Sequence, residues 1–356
     1  MEPVTQGLLG AAVGELAAGR TLGRRALFWG ALIGMSPDLD VVLAPLHEGF
    51  GEWIYHRGTT HALWFGFVAG PALAALLWRW QDPQGRTPYR AWAALAIAAL
   101  VTHPLLDGFT PYGTQLAAPF WRERFVWNGV AIVDPIYSLL LGLGVWIAAS
   151  KSRPDRVRRR GLVICLFLST LYLALGVGLA RWVEADVRRA LEGEGLEPGR
   201  VTAYPTVLQP WLRHLVAHDA DRVYVGLHSL ARPGCPSWRT RSAPSSEPRA
   251  RAILETWQGE TLAWFADGEL GVEEIRRDPL GSVLRIDDLR YTWGSASGRG
   301  MWGLEARFDR DGTLRGRVRR FGRADPSERD FVVFFSALLG QLPGRDRGWT
   351  RPARCR

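Results

Sequence analysis

Four apolar runs, at residues 62–78, 91–106, 130–149 and 161–180, decide most of what this chain can fold into. A helix rises ~1.5 Å per residue, so about 20 residues cross a bilayer core, and each run approaches or reaches that length. Two weaker runs are 4–18, which contains Glu15, and 26–44, which carries Asp38 and Asp40 near its end. They bring the expected count to six spans, with five as the alternative. From residue 181 the chain is polar, arginine-rich and full of turn residues, so the mean hydropathy of -0.05 averages two unlike halves. The expected fold class is a mainly α membrane domain of about six helices over 1–180, followed by an exported soluble α+β domain over 181–356.

The net charge of +9 comes almost wholly from arginine, since Lys151 is the only lysine. A basic total raises nucleic acid as a partner. The densest cluster, Lys151 to Arg160, lies between two apolar runs, and that placement suits a cytoplasmic membrane loop better than a DNA groove. The expected partner is therefore the lipid bilayer, with no nucleic acid, and the oligomeric state stays open. The start, Met1-Glu2-Pro3-Val4, lacks the basic region of a cleavable signal peptide, so its removal is not expected.

The loops after the first, third and fifth segments hold twelve basic residues, whereas the alternate loops, roughly 45–61 and 107–129, hold only Arg57, Arg122 and Arg124. Short basic loops stay in the cytoplasm. That orientation sends Asp38, Asp40, His56, His61, His103 and Asp107 to the same outer face, together with Thr5, Gln6 and Asp134. Six metal-ligating side chains beside apolar helices are costly to bury and call for a reason.

Each motif has a plainer reading beside the functional one. Asp38 and Asp40 would diverge by about 200° on one α-helix, but Pro37 disturbs the backbone and a turn could aim both inward; ordinary helix-end solvation is the alternative. His56 and His61 are five apart, with Thr59 or Thr60 available to cap a helix starting near His61; two interfacial histidines is the alternative. His103 and Asp107 are four apart and share a helical face if the helix continues past Pro104. They would be two ligands, a ligand with its supporting carboxylate, or a hydrogen-bonded core pair. Imidazole and carboxylate together suit zinc best among divalent metals, with manganese or iron as alternatives, and a two-metal centre is within reach. Such a centre acidifies water and polarises a phosphoryl or carbonyl oxygen. Asp38, Asp40 or Asp107 would act as base, and Arg57 would grip a phosphate or simply face lipid headgroups.

Several ordered stretches carry a resemblance. They are residues 4–12, Pro37 to Asp40, His56 to His61, His103 to Asp107, Phe109 to Gln115 and Val133 to Tyr137. Together they resemble the YdjM-like (YbcI-like) family of bacterial inner-membrane proteins, described as metal-dependent hydrolases. The likeness covers about 1–140, and Pro205 to Leu230 looks like a tail that some members carry. It implies a multi-pass inner-membrane protein with a metal, a hydrolysed bond, and Asp38, Asp40, His56, His61, His103 and Asp107 as ligands. This chain departs from a common form at Gln6, where many relatives have histidine, and at Ala62, where serine is usual.

In the second half, Arg181 to Leu196 reads as an amphipathic helix leaving the membrane. Strands are expected at Arg222 to Leu227, Val283 to Ile286 and Leu289 to Trp293, and a hairpin joins Gly303–Phe308 to Thr313–Phe321 through an Asp-Gly turn. Arg232 to Arg251 reads as a long exposed loop, and Phe331 to Leu342 as a packed helix too short to span. His214, His218, Asp219 and Asp221 read as a solvated helix end. Cys235 and Cys355 could be bonded if this half is exported, but nothing in the sequence brings them together. The functional expectation is a membrane-bound metal-dependent hydrolase acting on a phosphoester or related bond in a lipid or envelope metabolite. The alternative is a non-catalytic metal-binding scaffold whose exported domain binds a partner; transport fits less well, because the polar residues gather at one face.

Overall fold

The computed structural model describes residues 1–279, 281–292, 299–322, 328–343 and 349–355. Two compact units emerge: residues 1–46, 55–177 and 207–209 form the first, and residues 47–54, 178–206 and 210–356 the second.

The first unit is helical. Glu2 caps α1 (Pro3–Leu22) by accepting from the Val4 and Thr5 amides, and Gly23, at φ 58°, turns the chain into α2 (Arg24–Met35). Glycines let these two helices touch backbone to backbone: a Cβ on Gly10 would strike the Gly30 carbonyl, and one on Gly34 would lie 2.8 Å from the Gln6 carbonyl. Close approach through small residues is how apolar helices associate where lipid offers no hydrophobic gain. A 3-10 segment (Ser36–Leu43) follows α2 and, after the short α3 (Gly51–Tyr55), which falls almost wholly in the second unit, comes a 3-10 turn (Thr59–His61). Next come α4 (Leu63–Gln81), α5 (Tyr89–Gly108), α6 (Pro135–Ala149) and α7 (Asp155–Glu192). Trp92, Leu95 and Ala96 of α5, all fully buried, pack with Ala26, Ile33 and Ala74 to make the main core of this unit.

Among the described residues four helices are long and apolar enough to cross a membrane: Arg24–Leu43, Leu63–Gln81, Tyr89–Gly108 and Asp155–Glu192. This corrects the expectation of six. α6 has 15 residues and is too short to span unaided. α1 has the length, at 20 residues, but carries Thr5, Gln6, Glu15 and Arg20. The amphipathic segment expected from Arg181 is instead the continuation of α7, a single helix of 38 residues.

Among its described residues the second unit contains eight antiparallel strands in sequential order: β1 (Arg200–Pro205), β2 (Leu212–His218), β3 (Arg222–Ser229), β4 (Ser237–Ser242), β5 (Leu270–Asp278), β6 (Gly281–Asp288), β7 (Gly303–Phe308) and β8 (Leu314–Phe321). The sheet curls at its middle, where β4 and β5 meet through the single pair Ser242–Val272. Short helices α8 (Pro248–Leu254) and α9 (Trp257–Phe265) connect those two strands. Val183, Val187 and Leu191 of α7 pack with Leu215, Ala217, Tyr224 and Trp238. Val333 and Ala337 of α10 (Glu328–Leu338) pack with Leu212, Leu227 and Trp349.

The β7–β8 hairpin forms with Gly312 at φ 84° in its turn, and α10 overlaps the expected apolar stretch but begins three residues earlier and ends four residues sooner. Three other expectations change. Residues 232–251 are not one loop but contain β4 and the start of α8. The residues His214 to Asp221 end a strand and begin a turn, with His214 buried at 3% exposure. The strand expected at Leu289 reaches Trp293, which lies outside the described residues; Thr292 makes an isolated bridge to Gly300. Cys235 and Cys355 are disulfide-bonded, and Cys165 is free and buried.

Candidate metal centre

After α2 the chain tightens into the 3-10 segment that carries both aspartates. Three residues per turn set Asp38 and Asp40 about 240° apart, so they take different sides of one imidazole. Asp38 Oδ1 lies 3.3 Å from His61 Nε2, and Asp40 Oδ2 lies 3.2 Å from His61 Nδ1. Asp40 is held firmly: Oδ2 accepts from the Arg57 amide at 3.1 Å and from Thr60 Oγ1 at 2.7 Å, while Oδ1 meets His56 Nδ1 at 2.6 Å. Arg57 adopts φ 60°, a left-handed conformation that swings the loop so that its amide faces Asp40. The residue capping α4 is Ala62, so Thr59 and Thr60 do not cap a helix; Thr60 serves Asp40 instead.

α5 runs through Pro104 and puts His103 and Asp107 on one face, with His103 Nε2 3.4 Å from Asp107 Oδ2. His103 Nδ1 meets the Gly34 carbonyl at 2.5 Å, and since a carbonyl only accepts, Nδ1 carries the proton there and Nε2 presents its lone pair. The same logic applied to His61 Nδ1, which faces the Asp40 carboxylate, leaves His61 Nε2 as an acceptor too.

These four side chains converge: Asp38, His61, His103 and Asp107 offer ligand atoms all within 4.8 Å of one another. The two imidazole Nε2 atoms are 3.0 Å apart, and their distances to Asp38 Oδ1 and Asp107 Oδ2 run from 3.3 to 3.5 Å. Bonds of ~2.1 Å at tetrahedral angles separate ligand atoms by about 3.4 Å, so a four-coordinate cation fits this spacing. Asp107 Oδ2 is buried and makes no hydrogen bond of good geometry; it lies 3.1 Å from Arg57 Nε and 3.4 Å from each imidazole Nε2, leaving room in its coordination for a cation. Burial works against charge on His61, but Asp107, Asp38 and Asp40 around the ring outweigh it and push its pKa up to about 10.

Other groups orient the set. Arg57 is 3% exposed; its Nε lies 3.1 Å from Asp107 Oδ2, its Nη1 donates to Thr110 Oγ1 at 2.8 Å, and its guanidinium stacks 4.8 Å from the Tyr112 ring. Gln6 Nε2 donates to Asp107 Oδ1 at 2.9 Å, and the Met1 amino group also contacts that oxygen. Of the residues singled out from sequence, Asp38, His61, His103 and Asp107 come together. Asp40 and His56 form a pair on the far side of His61, and Arg57 braces Asp107. Sequence reasoning missed the Gly34 carbonyl and Thr110 and gave Thr60 a capping role in place of its bond to Asp40; these backbone and hydroxyl contacts across elements leave no local pattern.

No solved structure matches the chain. The Escherichia coli (strain K12) protein described as inner membrane protein YbcI is 36% identical over 103 residues, which cover 28% of this chain and 57% of that relative, so the match spans little more than half of the relative's length. Residues 1–183 match the family described as YdjM inner membrane protein. With that match covering more than half of its length and including all the residues of the candidate centre, the chain belongs to the YdjM inner membrane protein family.

Proposed function

We propose that this inner-membrane protein is a metal-dependent hydrolase whose cation, zinc by preference, is held by Asp38, His61, His103 and Asp107, and whose substrate carries a phosphoester or related bond in a lipid or envelope metabolite. The observation that carries the reading is the pair of imidazole Nε2 atoms facing each other at 3.0 Å between two carboxylates. A divalent cation at such a set supplies Lewis acidity toward a phosphoryl or carbonyl oxygen and acidifies water. Asp40 fixes the tautomer and plane of His61, as the Gly34 carbonyl does for His103. Arg57 positions Asp107 and balances its charge. Asp38, with a side chain 20% exposed, is the one member of the four open to a substrate, and it is placed to take a proton.

The charge bias of the loops supports an outward-facing centre, and the Cys235–Cys355 bond supports an exported second unit, because disulfides persist in oxidising compartments. The test is metal content of the purified protein together with metal-dependent turnover of a chromogenic phosphodiester; metal without turnover of any ester would sink the enzymatic reading. One observation favours a second reading, a metal-binding scaffold without turnover. Four protein ligands fill a tetrahedral shell, as in structural zinc sites, whereas catalytic zinc keeps one position open. Turnover by the parent separates the two readings, and in the enzymatic one Asp38→Ala should abolish it while the remaining three ligands retain some metal.

A further inference from the structure

At the other end of α1 from Gln6, a cleft of about 620 Å³ opens between α1 and the first turns of α7. Arg20 and four arginines between 156 and 160 line it, against the carboxylates of Glu15 and Asp155. None of the candidate metal ligands takes part. Five guanidinium groups facing two carboxylates leave a surplus of positive charge that internal pairing does not absorb. The Arg158–Asp155 contact is long, at 3.6 Å, and Arg159 Nη1 reaches only the Leu16 carbonyl, at 3.4 Å. Arg158 Nε and Glu15 Oε2 are both buried with no hydrogen-bond partner. Gly19 makes room for the Glu15 carboxylate, since a Cβ there would collide with it.

The floor of the cleft changes character within one turn. Leu162, Val163 and Ile164 line it below the arginines, and Ile164 and Phe167 are 55% and 65% exposed on the same helix. A cluster of cations above an exposed apolar helix face matches the boundary between headgroup and acyl chain in a phospholipid.

We propose that this cleft binds the headgroup of an anionic phospholipid. Its phosphodiester lies among Arg156, Arg158 and Arg159, Glu15 Oε2 accepts from a headgroup hydroxyl, and an acyl chain runs along Val163, Ile164 and Phe167. The guanidinium forks suit phosphate oxygens, and the unpartnered oxygen of the half-buried Glu15 selects a headgroup that also carries a donor.

The test uses the full chain in detergent, with native mass spectrometry after exposure to phosphatidylglycerol or phosphatidylcholine. The parent should retain phosphatidylglycerol with roughly tenfold preference, and Arg158→Gln with Arg159→Gln should remove most of that preference. The charge-conserving pair Arg158→Lys and Arg159→Lys, which guards against a folding defect, keeps the charge but not the forks and should retain more of the preference than the Gln pair and less than the parent. Equal retention of the two lipids by the parent, or an undiminished preference in the Gln variant, overturns the proposal. So does displacement of the lipid by inorganic phosphate at the same concentration, which would mark a site for a free anion.

Discussion

His61 and His103 point their Nε2 atoms at each other across 3.0 Å, while each ring has its Nδ1 engaged on the opposite side by Asp40 or by the Gly34 carbonyl. Two ring nitrogens that both present lone pairs repel unless a positive charge stands between them. The surrounding elements therefore hold the two histidines in an arrangement that makes sense only around a proton or a cation.

Removing either facing imidazole should empty the centre. His61→Ala and His103→Ala are expected to purify with little bound metal, whereas His56→Ala, whose ring meets Asp40 and the edge of the His61 ring but offers no atom to the four-residue group, should keep most of it. Elemental analysis of the three proteins checks this. Full metal in either of the first two variants would disprove the ligand assignment.

Asp40 touches the centre only through His61. Asp40→Asn should leave metal bound but weaken affinity by roughly 10–100-fold, the usual cost of losing the group behind a ligating histidine. Competition with a chelator of known affinity measures the change, and complete loss of metal would instead make Asp40 a ligand.

In the second unit, burial pushes the Asp287 carboxyl up to about 6 from 3.8, despite its bond from Arg241 Nη2 at 2.8 Å. A carboxyl whose folded pKa is raised contributes stability that is full below about pH 4 and lost as pH rises through about 6. Asp287→Asn stays neutral throughout, so the melting temperature of the parent should fall relative to that of the variant between about pH 4 and pH 7. A gap that stays constant over that range would contradict the assignment.

The Cys235–Cys355 bond closes a stretch of 120 residues, enough to restrict the unfolded chain considerably. Cys355→Ser should lower the stability of this unit by about 2–5 kcal/mol. Denaturant unfolding followed by tryptophan fluorescence checks it, and the parent under reducing conditions should behave like the variant.

Orientation is open to a direct test. Reporter fusions after residues 85 and 155 should be cytoplasmic, and one at the C-terminus exported, as the bias of twelve basic loop residues to three requires. The reverse pattern would put the centre on the inner face.

Much of the candidate centre was legible because its chemistry sits in short motifs: Asp38 beside Pro37, His61 after a glycine-threonine turn, and His103 four residues before Asp107. The division of labour within those motifs was not. Whether Asp38 or Asp40 joins His61, His103 and Asp107 depends on the 3-10 twist after Met35, and an α-helical or unspecified turn at Pro37 leaves that open. His56 and His61 look equivalent in the sequence, yet Arg57 at φ 60° turns the chain between them and sends His56 to the outer side of Asp40. The count of spans failed where apolar character and length part company, in the polar α1 and the short α6. β4 was hidden because Arg239 and Arg241 alternate along it; Arg239 lies 5.1 Å over the Trp349 ring and Arg241 pairs with Asp287, contacts across the fold that composition reads as loop.

The contact between α1 and α2 has a bearing on the centre that its lack of ligands conceals. Gly34 supplies the carbonyl that sets the His103 tautomer, and it stands where a single added methyl group would meet the Gln6 carbonyl and the Gly10 Cα. Asp38 follows only four residues later. An alanine at position 34 would wedge the helices apart and move an acceptor and a candidate ligand together, so the spacing within the candidate centre is adjustable by side-chain bulk at a site that carries no charge at all.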